Sequence, residues 1–298
     1  MVAGLFVLRG SLSSAGKEVD PNSDAFTLRG IAPKSSSAPT AYSGTYTKSR
    51  ALLIGIGEAY GDIGFQPLPN AERDVDALAK KLGELEGEDW EIVTLKGAQA
   101  KNAAICSRVR EMSRSAKRDD KLFVYYAGHG AKHPISDRSG WIVPADAKSA
   151  AEDPDHVSWV RFDEFSRVFD ESEAKHVLVA MDCCYGGRLT TWRGEESSTA
   201  GSDRREAYGE ALLTRGAQVV ISSGRPFEAV SDGVSGENSP FVRSFLEALS
   251  ESGGAPVTGH EIFSRITKTF IEEEVGHIPV LGSPPGSTPG GDVVFFPK

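Results

Sequence analysis

Two short segments place side chains capable of nucleophilic chemistry directly after apolar runs. His129 lies between Gly128 and Gly130, and the adjacent cysteines Cys183 and Cys184 are followed by two further glycines after one intervening residue. A free thiol, with a pKa of about 8.5, is mostly protonated at neutral pH and needs a neighbouring base to become a nucleophile. An imidazole can take that proton and later return it to a leaving amine. Glycines let a substrate backbone approach closely. The residue types therefore predict a Cys-His hydrolytic site.

The elements that must position these residues alternate between strands and helices. Short apolar runs predict the strands, and the intervening segments carry apolar residues at helical spacing. This alternation is typical of an α/β fold whose mostly parallel sheet has helices on both faces. The carboxyl ends of parallel strands share one edge, where His129 and Cys184 are expected to meet. The predicted strands are 50–57, 90–95, 121–127, 176–181 and 218–222, and the predicted helices are 71–85, 98–116, 162–169, 241–249 and 260–274.

Composition excludes several classes of function. The 298 residues carry a formal net charge of −9, which gives no electrostatic basis for binding nucleic acid. The first apolar run, 2–8, is too short to span a bilayer and lacks the basic flank of a leader, so no membrane association is expected. The three cysteines cannot form a disulfide framework, which fits a reducing compartment. We therefore expect a cytoplasmic protein.

The chain is predicted to contain one folded domain after a flexible segment. Residues 1–49 are rich in Ser, Thr, Gly and Pro and can serve as a pro-segment, whereas 50–298 carry the strand and helix pattern. The polar stretch 188–210 breaks that pattern and is predicted to link a larger part, 50–187, to a smaller part, 211–298.

The two motifs together resemble a known family. Tyr126 to Gly130 reads Y-x-G-H-G, Asp182 to Gly187 reads D-x-C-x-x-G, and His129 precedes Cys184 by 55 residues. This pairing resembles the caspase-fold cysteine peptidases, and most closely the metacaspases and their prokaryotic relatives. Segments 68–74, 143–146 and 293–296 extend the resemblance. It implies a caspase-like three-layer sandwich.

The resemblance also implies a role for individual residues. Cys184 becomes the nucleophile and His129 the general base and acid, with the backbone amides of Gly130 and Cys184 as oxyanion donors. Asp74 and Asp182 take the positions of the acids that line the pocket for the residue before the scissile bond, where they favour Arg or Lys. Ala127 stands where the family has a pocket serine. An alternative for Asp74 is that it only caps a helix or faces solvent.

The implied function is a cysteine endopeptidase that cleaves protein or peptide substrates after basic residues. By analogy with the family alone, it would act in a regulated defence or cell-death pathway, which leaves room for a regulatory protein partner. It could also process itself in the 188–210 linker, which contains Arg193, Arg204 and Arg205.

Two alternatives remain open at this stage. One is a catalytically silent caspase-fold module that binds a peptide in the crevice. The other, a nucleotide-binding domain, follows from Gly55-x-Gly57 after the first strand, although the third glycine is one place late for a dinucleotide fingerprint.

No metal or other cofactor is expected. His133 follows His129 at a four-residue spacing, but no acid completes a zinc motif and Pro134 comes next. Calcium-dependent metacaspases use several acids, of which only Asp146 and Asp163 have counterparts here, while Phe162 and Thr191 occupy other ligand positions. Calcium needs about six or more oxygen ligands, so calcium activation is an open expectation with weak support in the residues.

Overall fold

A six-stranded sheet forms the centre of the protein in a computed structural model, which describes residues 44–85, 88–132, 140–189, 212–226, 228–230, 232–285, 287 and 291–297. The strands are β1 (Ser49–Gly55), β2 (Trp90–Lys96), β3 (Lys121–Ala127), β4 (Gly130–Lys132), β5 (Gly140–Ile142), β6 (Val160–Arg161), β7 (His176–Asp182), β8 (Ala217–Ser222), β9 (Val257–Thr258), β10 (Val280–Gly282) and β11 (Val294–Phe295). The helices are α1 (Ala71–Gly83), α2 (Asn102–Ser115), α3 (Phe162–Asp170), α4 (Pro240–Ser250) and α5 (Gly259–Glu272).

The central sheet is mainly parallel. Its strand order is β10-β8-β7-β3-β1-β2, and only β10 runs antiparallel to its neighbour. There are two smaller antiparallel sheets: in one, β5 pairs with β4 on one side and β6 on the other, and in the second, β9 pairs with β11. The strands that carry the two candidate motifs, β3 and β7, are direct neighbours with Ala127 opposite Asp182. The predicted shared edge is therefore formed.

Helices cover both faces of the central sheet. Alternate residues of each strand point to opposite faces, so two apolar clusters form, one on each side. One cluster packs the strands against α2 and α3, and the other packs them against α1, α4 and α5. This arrangement confirms the predicted α/β three-layer sandwich. No helix in the described ranges is long and apolar enough to cross a membrane.

The main differences from the predicted elements are local. Helix α2 begins at Asn102 rather than at 98, because Gly97–Gln99 form a 3-10 turn and Lys101 is extended. The short strands β4, β5, β6 and β9 were not predicted, since two or three residues show no periodicity. They pair only because distant segments come together.

Gly55 has a packing reason rather than a ligand-binding one. A Cβ atom on Gly55 would lie 2.3 Å from the carbonyl oxygen of Ala71 and 2.8 Å from a methyl group of Val75. The glycine therefore lets α1 pack directly against the end of β1. This contact accounts for the first glycine of the pattern that suggested a nucleotide-binding alternative.

The folded domain begins before residue 50. The Tyr46 hydroxyl donates to His176 Nδ1 (2.5 Å) and accepts from the backbone N–H of Val294 (3.1 Å). Tyr46 thus packs against β7 and β11. Residues 1–43 and most of the predicted linker, 190–211, lie outside the described residues.

Candidate active site

The turns that follow β3 and β7 touch at the carboxyl edge of the sheet. His129 and Cys184 each lie two residues beyond the paired positions Ala127 and Asp182. A Cβ atom built on Gly130 would lie 2.1 Å from the carbonyl oxygen of Cys184, so a side chain would not fit between the turns. Glycine at 130 therefore allows the close approach that brings the two candidate residues to one place.

Two buried tyrosines hold the backbone of His129 from both sides. The Tyr60 hydroxyl accepts from the His129 backbone N–H (2.8 Å) and donates to the carbonyl of Val143 (2.8 Å). The Tyr126 hydroxyl donates to the carbonyl of His129 (2.9 Å). Tyr60 comes from a 3-10 helix, Glu58–Ile63, and Tyr126 from β3. The two hydroxyls fix where the imidazole is presented.

The imidazole has a defined orientation. Its Nε2 atom lies 2.7 Å from the carbonyl oxygen of Gln66. Because a carbonyl only accepts hydrogen bonds, Nε2 must carry the proton, which leaves Nδ1 as the acceptor of the neutral ring. The rings of Tyr60 and Phe65 lie against the imidazole, with centroids 4.5 and 5.8 Å away. The sequence analysis missed Gln66, because a backbone carbonyl gives no signal in the residue type.

The half-buried thiol of Cys184 accepts a hydrogen bond from the backbone N–H of Val230 at 3.3 Å. Burial raises the pKa of this thiol, so it is protonated at neutral pH and needs a base to react. Within the described residues, no hydrogen bond joins the imidazole to the thiol. Catalytic hydrogen bonds often form only when substrate binds.

Cys183 is buried in the core, and burial raises its pKa well above the usual range, which leaves it unreactive.

The backbone around these residues can face an oxyanion. The Val143 N–H donates to the carbonyl of His129 (3.0 Å), which makes Gly130 a non-hydrogen-bonded position of the β4–β5 pair. The Gly130 N–H therefore points away from β5.

After Cys184, Tyr185 has φ +63°, a left-handed conformation that costs energy for a residue with a side chain. This turn reverses the chain immediately after the thiol.

Asp74 lies in the first turn of α1 and is fully buried. Its Oδ1 atom accepts from the Asn238 side chain (2.7 Å) and from the backbone N–H of Ser239 (3.0 Å), whereas buried Oδ2 has no hydrogen-bond partner among the described residues. Burial, with a smaller contribution from the charge of Asp182, raises the pKa of Asp74 to about 7. Asp74 thus neither faces solvent nor caps its own helix.

Asp182 lies beside Asp74 and receives a hydroxyl from another helix. The Ser239 hydroxyl donates to Asp182 Oδ2 (2.7 Å) and accepts from the Val242 N–H (3.1 Å) as the N-cap of α4. Burial raises the pKa of Asp182 as well. Ser239 therefore supplies a hydroxyl beside the two acids, whereas Ala127 has none. The sequence analysis missed Ser239, although a serine followed by Pro240 is a typical helix start.

Comparison with known proteins identifies the family. The caspase domain matches residues 48–284, which is most of the chain and includes both strand-end motifs. The chain belongs to the caspase-domain family.

Individual relatives agree with this assignment of the caspase domain. Metacaspase III c of Phaeodactylum tricornutum is 26% identical over 158 residues, which cover 51% of this chain and 45% of that protein. The chain thus spans about half the length of this curated relative. Protein GSU0716 from Geobacter sulfurreducens has a similar structure, with a TM-score of 0.56 at 16% identity, covering 82% of this chain and 95% of that one.

A second solved structure supports the caspase fold. Caspase-1 from Spodoptera frugiperda matches with a TM-score of 0.51 at 12% identity, covering 83% of this chain and 95% of that one. These structural similarities concern the fold of the caspase domain. Together with the family match, they confirm the resemblance to caspase-fold, metacaspase-like proteins that the sequence motifs indicated.

A third carboxyl group near the candidate site of this caspase domain was not predicted. Asp232 is half-buried, and its Oδ2 atom accepts from the backbone N–H of Asn70 (3.0 Å). Burial raises the pKa of Asp232 to about 6. The charge of Asp182 also raises this pKa, and the charge of His129 lowers it. No motif pointed to Asp232, since it lies 162 residues from its partner Asn70.

The two acids with calcium-site counterparts have other partners in this caspase domain. Asp146 Oδ1 accepts from the backbone N–H of Asn102 (2.8 Å) at the start of α2, and Asp163 pairs with Arg161 (2.6 Å). Over the described ranges, no three His, Cys, Asp or Glu side chains are grouped so that they could hold a metal ion. The remaining residues singled out from the sequence lie outside the described residues: His133, Pro134, Thr191, Arg193, Arg204 and Arg205.

Proposed function

We propose that this caspase-domain protein is a cysteine endopeptidase that cleaves proteins or peptides after Arg or Lys. The observation that carries the specificity is Asp74, a fully buried carboxyl group with one oxygen that has no hydrogen-bond partner in the part of the chain that the structure describes. Leaving a buried acceptor unsatisfied costs about 1–3 kcal/mol, so such atoms call for a ligand. A guanidinium or ammonium group offers the missing donor and the opposite charge.

In the proposed mechanism, substrate binding brings the scissile carbonyl between Cys184 and His129. The thiol proton passes to Nδ1 of His129 as Sγ attacks the carbonyl carbon, while the N–H groups of Gly130 and Cys184 donate to the developing oxyanion. The tetrahedral intermediate collapses by breaking the C–N bond, and the imidazolium gives its proton to the leaving amine. Water, deprotonated by His129, then hydrolyses the thioester and restores the thiol.

The resting thiol explains why this mechanism needs the imidazole. Burial holds the Cys184 thiol in its protonated form, so it cannot act as a preformed thiolate. The hydrogen bond from Nε2 to Gln66 keeps Nδ1 free of a proton and ready to accept one. Tyr60 and Tyr126 hold the backbone of His129 and serve as positioning residues rather than catalytic ones.

The test is turnover of short fluorogenic peptides that end in Arg, Lys or Asp. We expect the wild-type chain to cleave the Arg and Lys peptides and the Cys184→Ala variant to lose at least three orders of magnitude in rate, as removal of a catalytic nucleophile does. Cys106→Ala is the matched control, because Cys106 is a thiol on α2 away from both strand-end turns. Equal rates for wild type and Cys184→Ala would contradict the peptidase, and a preference for Asp would contradict the pocket.

The same variants separate the peptidase from a silent binding module. A peptide-like electrophile that ends in Arg should alkylate Cys184 in the wild type, which is detected as a mass increase that Cys184→Ala lacks and Cys106→Ala keeps. A binding module with an unactivated thiol would bind the peptide without this modification.

Self-processing is a second part of the proposal. Arg193, Arg204 and Arg205 are basic residues in the polar linker and fit the proposed specificity. Incubation of the purified chain should give fragments whose new termini map to these arginines, and Cys184→Ala should remain intact. Identical intact bands for both proteins would contradict this part alone.

A further inference from the structure

One stretch of chain leads from the nucleophile to the start of α1. We call residues 228–230 and 232–236 the pocket segment. Near the nucleophile, the Tyr185 N–H donates to the carbonyl of Glu228 (3.2 Å), and the Val230 N–H donates to the Cys184 thiol. At its other end the segment reaches Asn70, the residue before α1. The segment therefore runs along the site that Asp74, Asp182 and Cys184 surround.

Asn70 binds this segment through every polar atom of its side chain. Its Nδ2 group donates to the carbonyls of Asp232 (2.6 Å) and Val234 (2.9 Å), and its Oδ1 atom accepts from the Gly236 N–H (3.0 Å). Asn70 is fully buried, so these hydrogen bonds are shielded from water. In addition, the Asn70 backbone N–H donates to the Asp232 carboxylate. One residue thus sets both the path of the segment and the direction of an acidic side chain.

The Asp232 carboxyl group is part of the same electrostatic environment as the pocket. The charge of Asp182 raises its pKa and the charge of His129 lowers it, so both groups are near. Hydrogen bonds give the same placement, because Asp232 lies two residues after Val230, whose N–H donates to the Cys184 thiol (3.3 Å), and its carboxylate accepts from Asn70 (3.0 Å), four residues before Asp74.

We propose that Asp232 is a third specificity-determining carboxylate of the basic pocket, that Asn70 is its positioning residue, and that this acid makes the pocket prefer Arg to Lys. This inference rests on the proposed function and goes beyond it, because the family resemblance supplied only Asp74 and Asp182.

The preference for Arg follows from the number and geometry of donors. A guanidinium carries five N–H donors in a fixed planar fork, whereas an ammonium carries three at one point. Asp74 lies on α1, Asp182 lies at the end of β7, and Asp232 lies on the pocket segment. Carboxylates on separate elements can be bridged by a wide fork better than by a point charge.

The experiment compares otherwise identical peptides that end in Arg, Lys or citrulline. Citrulline has the shape of Arg without its charge, so the ratio of kcat/KM for Arg over citrulline isolates the charge of the pocket. Effects of pH on His129 and Cys184 cancel in this ratio. The variant is Asp232→Asn, whose side-chain oxygen can still accept from the Asn70 N–H and preserve the segment. The matched control is Glu237→Gln, which removes one negative charge from an exposed side chain close by in sequence.

We expect Asp232→Asn to lower the Arg-to-citrulline ratio about tenfold at pH 7.5, mainly through KM for Arg, as the loss of a charge-assisted hydrogen bond predicts. The Arg-to-Lys ratio should fall as well. In the wild type the Arg-to-citrulline ratio should rise between pH 5 and 8 as the pocket acids ionise, and the rise should be smaller in the variant. Glu237→Gln should behave as the wild type.

Two results would overturn the inference in different ways. If Asp74→Asn loses the preference for Arg while Asp232→Asn keeps the wild-type ratios and pH dependence, the role of Asp232 is wrong and the proposed function stands. If the wild type cleaves citrulline peptides as well as Arg peptides, the basic pocket itself is wrong. Cooperative thermal unfolding of Asp232→Asn at or above the wild-type temperature verifies that a lower ratio does not come from misfolding, because removal of a half-buried acid with a raised pKa should not destabilise the fold.

Discussion

Two residues at the candidate site have features that destabilise the free protein. Asp74 is a fully buried acid, one oxygen of which finds no partner within the described ranges, and Tyr185 adopts a left-handed backbone conformation. Each feature destabilises the free protein, because the first buries a charge and the second strains the chain. Natural proteins accept such costs where binding or catalysis requires them.

The first prediction concerns Asp74→Asn, which should stabilise the protein and abolish its preference for basic substrates. The folded state raises the pKa of Asp74 to about 7, so folding favours the protonated acid and loses stability as pH rises from about 4 to 7. A neutral asparagine avoids this loss. We expect a gain in the free energy of unfolding of about 4 kcal/mol at pH 8.

Thermal or denaturant unfolding across pH measures this effect. The difference between variant and wild type should grow from about pH 4 to about pH 7 and then level off. A difference that does not depend on pH would contradict the assigned pKa. The activity assay on Arg peptides provides the second readout, since the stabilised variant should be the less active one.

At the scale of elements, the site is assembled by parts that are far apart in the chain. The N-terminus of α4 presents Ser239 to both Asp74 and Asp182, and Asn70 before α1 holds the pocket segment. The amino end of a helix favours negative charge, so α4 offsets part of the repulsion between the two acids. The pocket therefore depends on how α1, α4 and β7 pack against each other.

The second prediction concerns Asn70→Ala, which should loosen the pocket segment. The change removes three buried hydrogen bonds to this segment, and each is worth about 0.5–1.5 kcal/mol. We expect faster amide hydrogen exchange at 232–236 and a higher KM for Arg peptides, with a smaller change in kcat.

Asn102→Ala is the matched control for this prediction. Asn102 also donates to two backbone carbonyls of a loop, those of Ser158 and Trp159, but that loop does not contact the pocket acids. Asn102→Ala should accelerate exchange only in its own loop and leave KM unchanged. Equal effects of both variants on KM would show that Asn70 has no special role in the pocket.

At the scale of the whole molecule, the candidate site and a buried charged cluster around Lys121 lie at opposite edges of the central sheet. The candidate site lies at the carboxyl edge, whereas Lys121 starts β3 at the opposite edge with a fully buried side chain. Its ammonium group pairs with Glu88 and donates to the carbonyl of Val294 (2.8 Å). The aromatic rings of Tyr46, Trp90 and Phe295 surround it within 4.7 Å of their centroids. This cluster ties the first described residues and the last strand to the sheet.

The third prediction concerns Lys121→Met, which should destabilise the protein without changing its chemistry. Burial already lowers the pKa of Lys121 to about 8, and removal of the ammonium leaves the Glu88 side chain, 1% exposed, without its counter-charge. Breaking a buried pair in this way costs about 3–5 kcal/mol. The double variant Lys121→Met with Glu88→Gln should recover much of that loss.

Denaturant unfolding and peptide turnover together measure this outcome. We expect kcat and KM of the folded Lys121→Met protein to equal the wild-type values below its unfolding transition. A lower kcat at full folding would contradict the separation of the two edges, and a double variant as unstable as the single one would contradict the pairing.

The sequence by itself determined the order of the main elements and the meeting of the two motifs. Apolar runs at 121–127 and 176–181 indicate burial on both faces, and helical spacing between the runs implies parallel crossovers. Parallel strands bring their carboxyl ends to one edge, so the positions of His129 and Cys184 followed from local patterns. Motif residues also pointed to Asp74 and Asp182.

Only the tertiary structure decided how the site is completed. The carbonyl of Gln66, the hydroxyl of Ser239, the amide of Asn70 and the carboxyl group of Asp232 reach the site through loops and helix ends. Periodicity measures which face of an element is buried, but it contains no information on where distant loops run. Contacts such as Asn70 with Asp232, 162 residues apart, depend on strand register and helix packing. These long-range contacts set the proposed specificity, whereas the local patterns placed the proposed catalytic pair.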